Sequence, residues 1–426
     1  MSDMKYFIIT FGCQMNHSDS ERVAAVLENT GYEEASSINE ADLIVVNMCS
    51  VRQSAVDRVY GLFPRFKKLK NKNNKLKTLL TGCVLKADKR KFTKNFDLIL
   101  DIKNLSKLPN FLSIDESGSR CLSGDYLKIE PKYRSKFSAF MPIMTGCDNF
   151  CTYCVVPYVR GREISRKAGK ILSEIKNLIK RGVKEIWLLG QNVNCYKDNK
   201  INFPKLLKMV NDIKGDFWIR FTSPHPKDFS DELINVMAKC EKVTEYLNLP
   251  VQSGDNEILK KMNRPYTIKE YKNLVKRIRE KVPEISLSTD IIVGFPGETK
   301  KQFENTLSLF KEIKYDMAYI ARYSSRSQTV ASKLKDNVSP EEKEKRWKIL
   351  TEILKKTALE NNKKYIEKEV EVLIDSKKNN FYLGKTRTYK TIKFQVSSSK
   401  FQDLVGQFFK VKIIEVLPWG LKGILK

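Results

Sequence analysis

Six apolar runs of strand length alternate with helical patterns between residues 137 and 324, and this alternation constrains the fold more than any other feature. Strands separated by amphipathic helices form parallel sheets, because a parallel neighbour needs a long crossover connection. Six such units predict a β/α barrel, complete or partial, with its chemistry at the carboxyl ends of the strands. The runs are FSAFMPIMTG (137–146), KEIWLLG (184–190), FWIRFT (217–222), EYLNLP (245–250), LSTDIIVG (287–294) and DMAYIARYS (316–324).

The first hundred residues repeat this alternation on a smaller scale. Helical patterns separate four apolar runs, which predicts a small parallel α/β domain. A capping box formed by Ser18 and Glu21 is expected near the start of the first helix. The four runs are KYFIITF (5–11), DLIVVN (42–47), LKTLLTG (76–82) and FDLILDI (96–102).

Three single cysteines, Cys13, Cys49 and Cys83, each lie just past the end of one of the first three runs. The carboxyl ends of parallel strands meet at one edge of a sheet, where ligands bind in open α/β folds. The placement therefore predicts a metal site with three thiolate ligands. The alternative is coincidence, since the chain has nine cysteines.

A second group of cysteines, Cys147, Cys151 and Cys154, has C-x₃-C-x₂-C spacing inside the loop TGCDNFCTYCVVPYVRGREISR (145–166). A closed zinc site needs a fourth protein ligand, and the whole chain has only His17 and His225. A 4Fe–4S cluster held by three thiolates leaves one iron open for a small molecule. Buried structural cysteines, and zinc with a distant fourth ligand, are the alternatives.

Small and polar residues follow the barrel strands. Gly190 and Gln191 follow the second run, and Gln252 and Ser253 follow the fourth. Each alone is typical of an ordinary βα loop, but together they are suited to hold a charged nucleoside. His225, between two prolines, is expected to be a structural or substrate-contact residue.

The last stretch, from about Val370, has short strand-like runs with glycine turns and follows a charged helical segment at 339–370. It predicts a small β-barrel. Residues 363–426 carry 14 Lys and Arg against 6 Asp and Glu, which fits RNA binding. Most of its aromatic residues are expected in the core; they are Phe381, Tyr382, Tyr389, Phe394 and Trp419.

The composition limits the class of protein. A net charge of +28 is equally consistent with a polyanionic partner and with a lysine-rich solvated surface. No apolar run reaches the length of a membrane span, and the start of the chain does not resemble a signal peptide. Cysteines without a secretory signal favour a reducing compartment, so a cytoplasmic location is expected. The expected domains are 1–125, 133–362 and 363–426.

Several motifs resemble one family, the radical S-adenosylmethionine (SAM) methylthiotransferases, over nearly the whole chain. The cysteine loop, with Tyr153 before the last cysteine, resembles the radical SAM signature. Other stretches are similar to the MiaB-type branch, which acts on tRNA, and the C-terminal part resembles the TRAM RNA-binding domain. These stretches are GCQMNHSDSE (12–21), VNMCSVRQSA (46–55), CTYCVVPYVRGREISR (151–166), LLGQNVN (188–194), HPKDF (225–229), LPVQSGDNEILKKMNRPYT (249–267) and DIIVGFPGET (290–299).

The resemblance implies two 4Fe–4S clusters and SAM as cofactors. Cys147, Cys151 and Cys154 would hold the radical SAM cluster, with Tyr153 near the adenine of SAM. The three N-terminal cysteines would hold an auxiliary cluster. Gly190, Gln191, Gln252 and Ser253 would contact SAM. The implied reaction is radical methylthiolation at carbon 2 of N(6)-isopentenyladenosine next to the anticodon of tRNA.

The implied partners are tRNA, an electron donor of flavodoxin or ferredoxin type and iron–sulfur assembly proteins. The chain itself is expected to be a monomer. Two alternatives remain. One is a sister methylthiotransferase acting on threonylcarbamoyl-adenosine in tRNA or on an aspartate of a small-subunit ribosomal protein. The other is a non-catalytic metal- and RNA-binding protein. The near absence of histidine fits cofactor chemistry better than acid–base chemistry.

Overall fold

The computed structural model describes residues 4–112, 126–396 and 403–425. The chain forms two compact units. The first contains residues up to 134, the segment 140–164 and the segment 324–332; the second contains 135–139, 165–323 and the residues from 333 onward. The polar sequence at 114–136 predicts a linker, but part of it, including Cys121, lies outside the described residues. No helix in the described part of the chain is long and apolar enough to cross a membrane.

The first unit is built on a five-stranded parallel sheet in the order β2-β1-β3-β4-β5, as its alternating pattern predicts. Apolar side chains cover both faces of this sheet, which explains why β3 is buried along its whole length. The strands are β1 Lys5–Phe11, β2 Glu33–Glu34, β3 Leu43–Cys49, β4 Lys77–Cys83 and β5 Leu98–Ile99. The helices are α1 Gln14–Glu28, α2 Gln53–Tyr60, α3 Phe63–Lys72, α4 Lys86–Phe92 and α5 Leu108–Leu112.

The start of α1 differs from the expected capping box. Cys13 is the N-cap residue, so Ser18 and Glu21 lie inside the helix. The backbone N–H of Cys13 donates to the Asn16 side chain at 3.2 Å, and this contact takes the place of the predicted cap. Ser18 instead donates to the carbonyl of Phe140 at 3.1 Å. The first cysteine therefore lies at the amino end of a helix.

The segment around the cysteine loop contributes four short elements. The strands β7 and β8 pair with each other on either side of the loop. The helix α6 is a single turn that begins two residues after Cys154. These elements are β6 Ser138–Pro142, β7 Met144–Thr145, α6 Val156–Val159 and β8 Ile164–Ser165.

The second unit contains the β/α series that the sequence predicts. One sheet has the order β12-β9-β6 and another the order β13-β14-β15, and a parallel bridge between Ile219 and Val243 links them. Six strands therefore form a partial parallel barrel, which confirms the predicted class. The strands are β9 Glu185–Leu189, β10 Lys197–Asp198, β11 Ile201–Asn202, β12 Trp218–Phe221, β13 Tyr246–Asn248, β14 Ser286–Val293 and β15 Met317–Arg322. The helices are α7 Ala168–Lys180, α8 Phe203–Asn211, α9 Asp231–Lys239, α10 Asn256–Lys261, α11 Ile268–Lys281, α12 Lys300–Ile313 and α13 Pro340–Lys363.

A closed five-stranded barrel ends the chain, in the order β16-β17-β18-β20-β19. The charged helix α13 stops at Lys363 rather than near 370, because the following residues enter the barrel. Only two of the five aromatics expected in the core are buried, Tyr382 and Phe394. Phe381 and Tyr389 are half-buried and Trp419 is 44% exposed, so the prediction that most of them are core residues is wrong. The strands are β16 Glu369–Lys378, β17 Phe381–Thr386, β18 Thr391–Val396, β19 Phe408–Leu417 and β20 Gly420–Leu425.

Candidate functional site

The three N-terminal cysteines converge at the carboxyl edge of the first sheet. Cys49 ends β3 and Cys83 ends β4, and the two residues are direct partners in the register of these parallel strands. The Cys49 thiol hydrogen-bonds the Cys83 sulfur. Cys13 follows β1, the other neighbour of β3, and is close enough to interact electrostatically with Cys83. Strand order alone therefore brings together residues up to 70 positions apart.

Two asparagines and two glycines hold the cysteine-bearing loops together. Asn16 Nδ2 donates to Asn47 Oδ1 at 3.0 Å, and Asn47 Nδ2 donates to the Asn16 carbonyl at 2.7 Å. A Cβ on Gly12 would lie 2.1 Å from Asn16 Oδ1, and one on Gly82 would lie 2.4 Å from Asn47 Oδ1. Only glycine leaves room for this pair of amides. These contacts explain why glycine precedes Cys13 in GCQMN (12–16) and Cys83 in TGC (81–83), and why asparagine occurs in GCQMN and in VNMC (46–49).

The thiols of this site are withdrawn from water. Cys49 and Cys83 pack against Leu85 and against Val155 and Val159, which follow the second cysteine group in the sequence. Burial raises the pKa of the Cys13 thiol. The hydrogen bond from Cys49 and the positive charge of Arg160 instead lower the pKa of Cys83 to about 7, although burial opposes them. These two contacts favour the thiolate form of Cys83.

The C-x₃-C-x₂-C loop is held by backbone geometry. Gly146 has φ +83°, and a Cβ there would lie 2.0 Å from the carbonyl oxygen of Arg162. The backbone N–H of Cys147 donates to the Gly161 carbonyl at 3.2 Å, and that of Cys154 to the Cys151 carbonyl at 2.9 Å. Phe150 has φ +47°, an uncommon conformation for a bulky residue. Contacts within residues 146–162 therefore fix the conformation of this loop.

The electrostatics of this loop also suit thiolate ligation. Burial raises the pKa of Cys147 to about 11, which disfavours a free thiolate without a positive centre beside it. Asn149 Nδ2 donates to the sulfur of Cys147 at 3.5 Å. Cys151 and Cys154 are half-buried. A metal centre would supply the positive charge that Cys147 needs in order to ionise.

Each cysteine set supplies three thiols, the ligand type that holds iron–sulfur clusters. Within residues 4–112, 126–396 and 403–425, no three Cys, His, Asp or Glu side chains form a group that could hold one metal ion. N–H donors already point at the sulfurs of Cys83 and Cys147, as expected for sulfurs that carry negative charge.

The residues expected to contact SAM have mixed surroundings. Tyr153 is half-buried in the cysteine loop and belongs to the first unit, whereas the other four belong to the second. Gly190 is buried at the end of β9, and Gln191 follows it half-buried. Gln252 has φ +73°, and its backbone N–H donates to the Asp290 carbonyl at 2.9 Å. Ser253 accepts a hydrogen bond from the backbone of Asp255 at 3.2 Å. Their contact with SAM stays a prediction.

His225, at the carboxyl end of β12, leaves one ring nitrogen without a partner. Its Nδ1 accepts from the backbone N–H of Lys227 at 3.2 Å, which places the proton on Nε2. Nε2 is buried and has no hydrogen-bond partner among the described residues. Burial, with the charges of Arg264 and Lys227, lowers the pKa of His225 to about 2. The residue is a neutral donor rather than an acid or base.

Sequence reasoning missed the residue that contacts the first cysteine set from the second loop. Arg160 lies six residues after Cys154 and is buried, and its Nε donates to Cys83 Sγ at 3.0 Å. Asp19 accepts two further hydrogen bonds from Arg160. The only sequence signal was its place inside CTYCVVPYVRGREISR. Cys195 donates to Asp228 at 3.1 Å, and Cys240 is buried.

Comparison with known proteins defines the class. Residues 141–310 match the Radical SAM superfamily, and residues 5–101 match the Uncharacterized protein family UPF0004. Two solved structures show a similar fold. TsrM from Kitasatospora setae, a radical S-adenosylmethionine methyltransferase solved with cobalamin and a 4Fe-4S cluster, has a TM-score of 0.53 at 13% identity and covers 78% of this chain and 77% of its own. Apo OxsB, a cobalamin-dependent S-adenosylmethionine radical enzyme, has a TM-score of 0.53 at 11% identity and covers 85% of this chain and 56% of its own. The chain is a radical SAM protein.

Curated relatives narrow the family. A protein of Clostridium botulinum named tRNA-2-methylthio-N(6)-dimethylallyladenosine synthase is 44% identical, covering 98% of this chain and 96% of its own length. Proteins of the same name from Clostridium tetani and Acetivibrio thermocellus are 41% and 43% identical, covering 98% of this chain and 95% and 90% of their own. The chain belongs to the family of tRNA-2-methylthio-N(6)-dimethylallyladenosine synthases, radical SAM methylthiotransferases, as the resemblance implied.

Proposed function

We propose that this protein transfers a methylthio group to carbon 2 of N(6)-dimethylallyladenosine in tRNA. Dimethylallyl is another name for the isopentenyl substituent expected from the sequence. One observation carries the proposal: Cys49 and Cys83 are paired at adjacent strand ends and covered by Val155 and Val159, which follow Cys154 in the sequence. An enzyme that joins sulfur to a radical site needs both centres close together, and this packing connects the two loops that would hold them.

The cofactor assignment is part of the proposal. Cys147, Cys151 and Cys154 would hold one 4Fe–4S cluster, which would bind and cleave SAM, and Cys13, Cys49 and Cys83 would hold a second. When bound, these groups supply the radical that abstracts hydrogen from an unactivated aromatic carbon and the sulfur that replaces it. Such a carbon has no acidic proton, so side-chain acids and bases are of little use there.

The protein's own residues position these groups and exclude water. The two asparagine side chains, Asn16 and Asn47, fix the loops of Cys13 and Cys49 relative to each other. Val155 and Val159 cover the buried thiols. His225 offers a neutral N–H donor at a barrel strand end, where a nucleoside or the carboxylate of SAM presents acceptors. None of these roles requires a change of protonation.

The tRNA partner is supported by the charge of the chain and the surface of the C-terminal barrel. Lys377, Lys378 and Lys393 are exposed, and Lys393 Nζ lies 3.7 Å from the centroid of the Phe381 ring. Cations beside an accessible aromatic ring are suited to phosphate and base contacts. The proposal includes cytoplasmic action as a monomer, with electrons from a flavodoxin- or ferredoxin-type donor and clusters from iron–sulfur assembly proteins.

The first test is iron and sulfide per chain after anaerobic reconstitution. Wild type is compared with a triple variant, Cys13→Ala, Cys49→Ala and Cys83→Ala, and with Cys195→Ala as the matched control. About eight irons are expected in wild type and in the control, and about four in the triple variant. Four irons in wild type and triple variant alike would remove the auxiliary cluster and the sulfur-insertion step.

The substrate is tested by nucleoside analysis of tRNA from cells that lack the endogenous enzyme and express this chain. The 2-methylthio derivative of N(6)-dimethylallyladenosine is the expected product. A methylthio group on threonylcarbamoyl-adenosine instead would assign the chain to the sister activity. Unmodified tRNA together with two intact clusters would contradict a tRNA substrate.

A further inference from the structure

Arg160 is a buried cation whose donors are divided between a carboxylate and a cysteine sulfur. Its side chain is 3% exposed. Nη1 donates to Asp19 Oδ1 at 3.1 Å and Nη2 to Asp19 Oδ2 at 2.5 Å, the two-pronged geometry of a strong arginine–carboxylate pair. The remaining donor, Nε, lies 3.0 Å from Cys83 Sγ. The guanidinium therefore points its third N–H at a candidate cluster ligand.

The orientation of this guanidinium is fixed from several sides. Asp19 is fully buried and also accepts a hydrogen bond from the hydroxyl of Tyr126. The Arg160 guanidinium lies 6.0 Å from the centroid of the same Tyr126 ring. Since Arg is planar and both of its outer nitrogens are engaged by Asp19, rotation would break two charged hydrogen bonds. The Nε–H is consequently held on the sulfur and cannot easily turn away.

A single ion pair would not need this arrangement. Asp19 alone neutralises the charge of Arg160, and a lysine could do the same with less precise geometry. The feature that an ion pair leaves unexplained is the third donor, which contacts a sulfur in a water-poor environment formed by Leu85, Val155 and Val159. Hydrogen bonds to ligand sulfurs and nearby positive charge are known means by which proteins set the reduction potential of an iron–sulfur cluster.

We propose that Arg160 is a positioning residue that donates its Nε–H to the Cys83 thiolate of the auxiliary cluster and thereby raises the reduction potential of that cluster. The proposal rests on the proposed function, because it requires the cluster held by Cys13, Cys49 and Cys83. The donor stabilises the more negative, reduced state more than the oxidised state. Arg160 belongs to the loop of Cys147, Cys151 and Cys154. The reduction potential of the auxiliary cluster therefore depends on the fold of the loop that holds the radical SAM cluster.

The test isolates the auxiliary cluster in the full-length chain. The background protein carries Cys147→Ala, Cys151→Ala and Cys154→Ala, so only the N-terminal set can hold iron. In this background, Arg160→Lys keeps a positive charge without the planar fork, and Arg160→Gln keeps a neutral donor without the charge. Arg162→Lys is the matched control, because it makes the same change at an exposed arginine of this loop that pairs with Asp148. Redox titration followed by electron paramagnetic resonance gives the midpoint potential of each protein.

The expected result is a lower midpoint potential in both Arg160 variants, with about four irons per chain retained, and an unchanged potential in Arg162→Lys. Unchanged potentials in both Arg160 variants at full iron content would overturn this inference and leave the proposed function intact. A background protein that binds no iron would overturn the auxiliary cluster itself and, with it, both proposals. Thermal unfolding of each variant before reconstitution identifies any that fail to fold. If one Arg160 variant fails to fold, the midpoint potential of the other one tests the proposal.

Discussion

At the scale of single residues, the site depends on positions where a side chain would not fit. Gly82 has φ +105°, and a Cβ there would lie 2.4 Å from both Asn47 Oδ1 and the carbonyl oxygen of Met48. The backbone has no room to accept alanine without moving the next residue, Cys83. By contrast, a Cβ on Gly169, in α7, would have no atom within 4 Å.

Gly82→Ala is therefore expected to lower iron content by about half, because displacement of Cys83 removes one ligand of the auxiliary cluster. Iron analysis after reconstitution measures this. Gly169→Ala serves as the control: it should retain full iron and gain up to about 1 kcal/mol of stability from better helix propensity. Equal iron in Gly82→Ala and Gly169→Ala would contradict the steric role of Gly82.

His225 gives the protein a pH-dependent stability. Its folded pKa is about 2, lowered by burial, then by Arg264 and Lys227, while the unfolded value is 6.5. Above pH 6.5 the ring is neutral in both the folded and the unfolded state, so it adds no pH dependence to the free energy of unfolding. Below it, the unfolded chain binds a proton that the folded chain does not, so the free energy of unfolding falls by about 1.4 kcal/mol per pH unit.

His225→Asn should therefore lose less stability than wild type on acidification. The measurement is the thermal unfolding midpoint of both proteins at one pH above 6.5 and at one about a unit below it. Replacement of the buried ring is expected to lower the midpoint at the higher pH, and the gap between the proteins should narrow at the lower pH. A gap of the same size at both values would show that His225 is protonated in the folded state.

At the scale of elements, one arginine fixes the C-terminal barrel to the strands of the second unit. Arg220 on β12 is fully buried and donates to Glu185 Oε1 at 2.6 Å. It also donates to the carbonyl oxygens of Thr386 at 2.8 Å and Arg387 at 2.7 Å, in the turn after β17. Tyr389 from the same turn packs on Trp187, with ring centroids 5.1 Å apart. This turn therefore attaches the C-terminal barrel to β9 and β12.

Arg220→Met is expected to destabilise the protein by about 3–5 kcal/mol, because it leaves Glu185 buried without its partner. Denaturant unfolding followed by tryptophan fluorescence measures the change. Adding Glu185→Gln to this variant should recover part of the loss, since the amide is neutral. The control is Arg277→Met, which breaks an exposed pair with Asp231 and should cost no more than about 1 kcal/mol. Similar losses in the two single variants would refute the attachment role.

At the scale of the whole molecule, the net charge of +28 becomes informative only through its distribution. Many cations are already paired within the fold, including Arg160, Arg220 and Arg346, and these cannot neutralise phosphates. The exposed set Lys377, Lys378 and Lys393 on the C-terminal barrel remains accessible. Binding of tRNA through such residues releases counterions and must weaken as salt increases.

Replacing these three lysines by glutamine should make the salt dependence of tRNA binding less steep. Each lost phosphate contact lowers the slope of log K against log salt by about 0.7–0.9, so a change of about 2–3 is expected. Filter binding over a range of salt concentrations measures it. The control replaces Lys170, Lys176 and Lys180 on α7, which are equally exposed. An equal change in both triple variants would mean that only the overall charge matters.

Local sequence patterns were sufficient to predict the architecture. Alternating apolar runs and helices specify parallel sheets, and β1, β3 and β4 occur at the predicted runs. The positions of Cys13, Cys49 and Cys83 after those strands already implied that they meet, because parallel strands place their carboxyl ends at one edge. The weaker predictions depended on competition between local signals. The Ser18 capping box failed because Asn16, nearer the strand, already satisfies the backbone of Cys13.

The sequence by itself determined which elements form, because the alternation of apolar runs and helical patterns is encoded within short stretches. It also indicated that Cys13, Cys49 and Cys83 lie at one edge of a parallel sheet. The tertiary structure alone decided what surrounds those cysteines. Arg160 and Cys83 are 77 positions apart, and Arg160 and Asp19 are 141 apart, with no periodic pattern to relate them. The same holds for Arg220 and the turn at Thr386. Partners of buried charges are selected by long-range packing and desolvation, and these act only after the chain has folded.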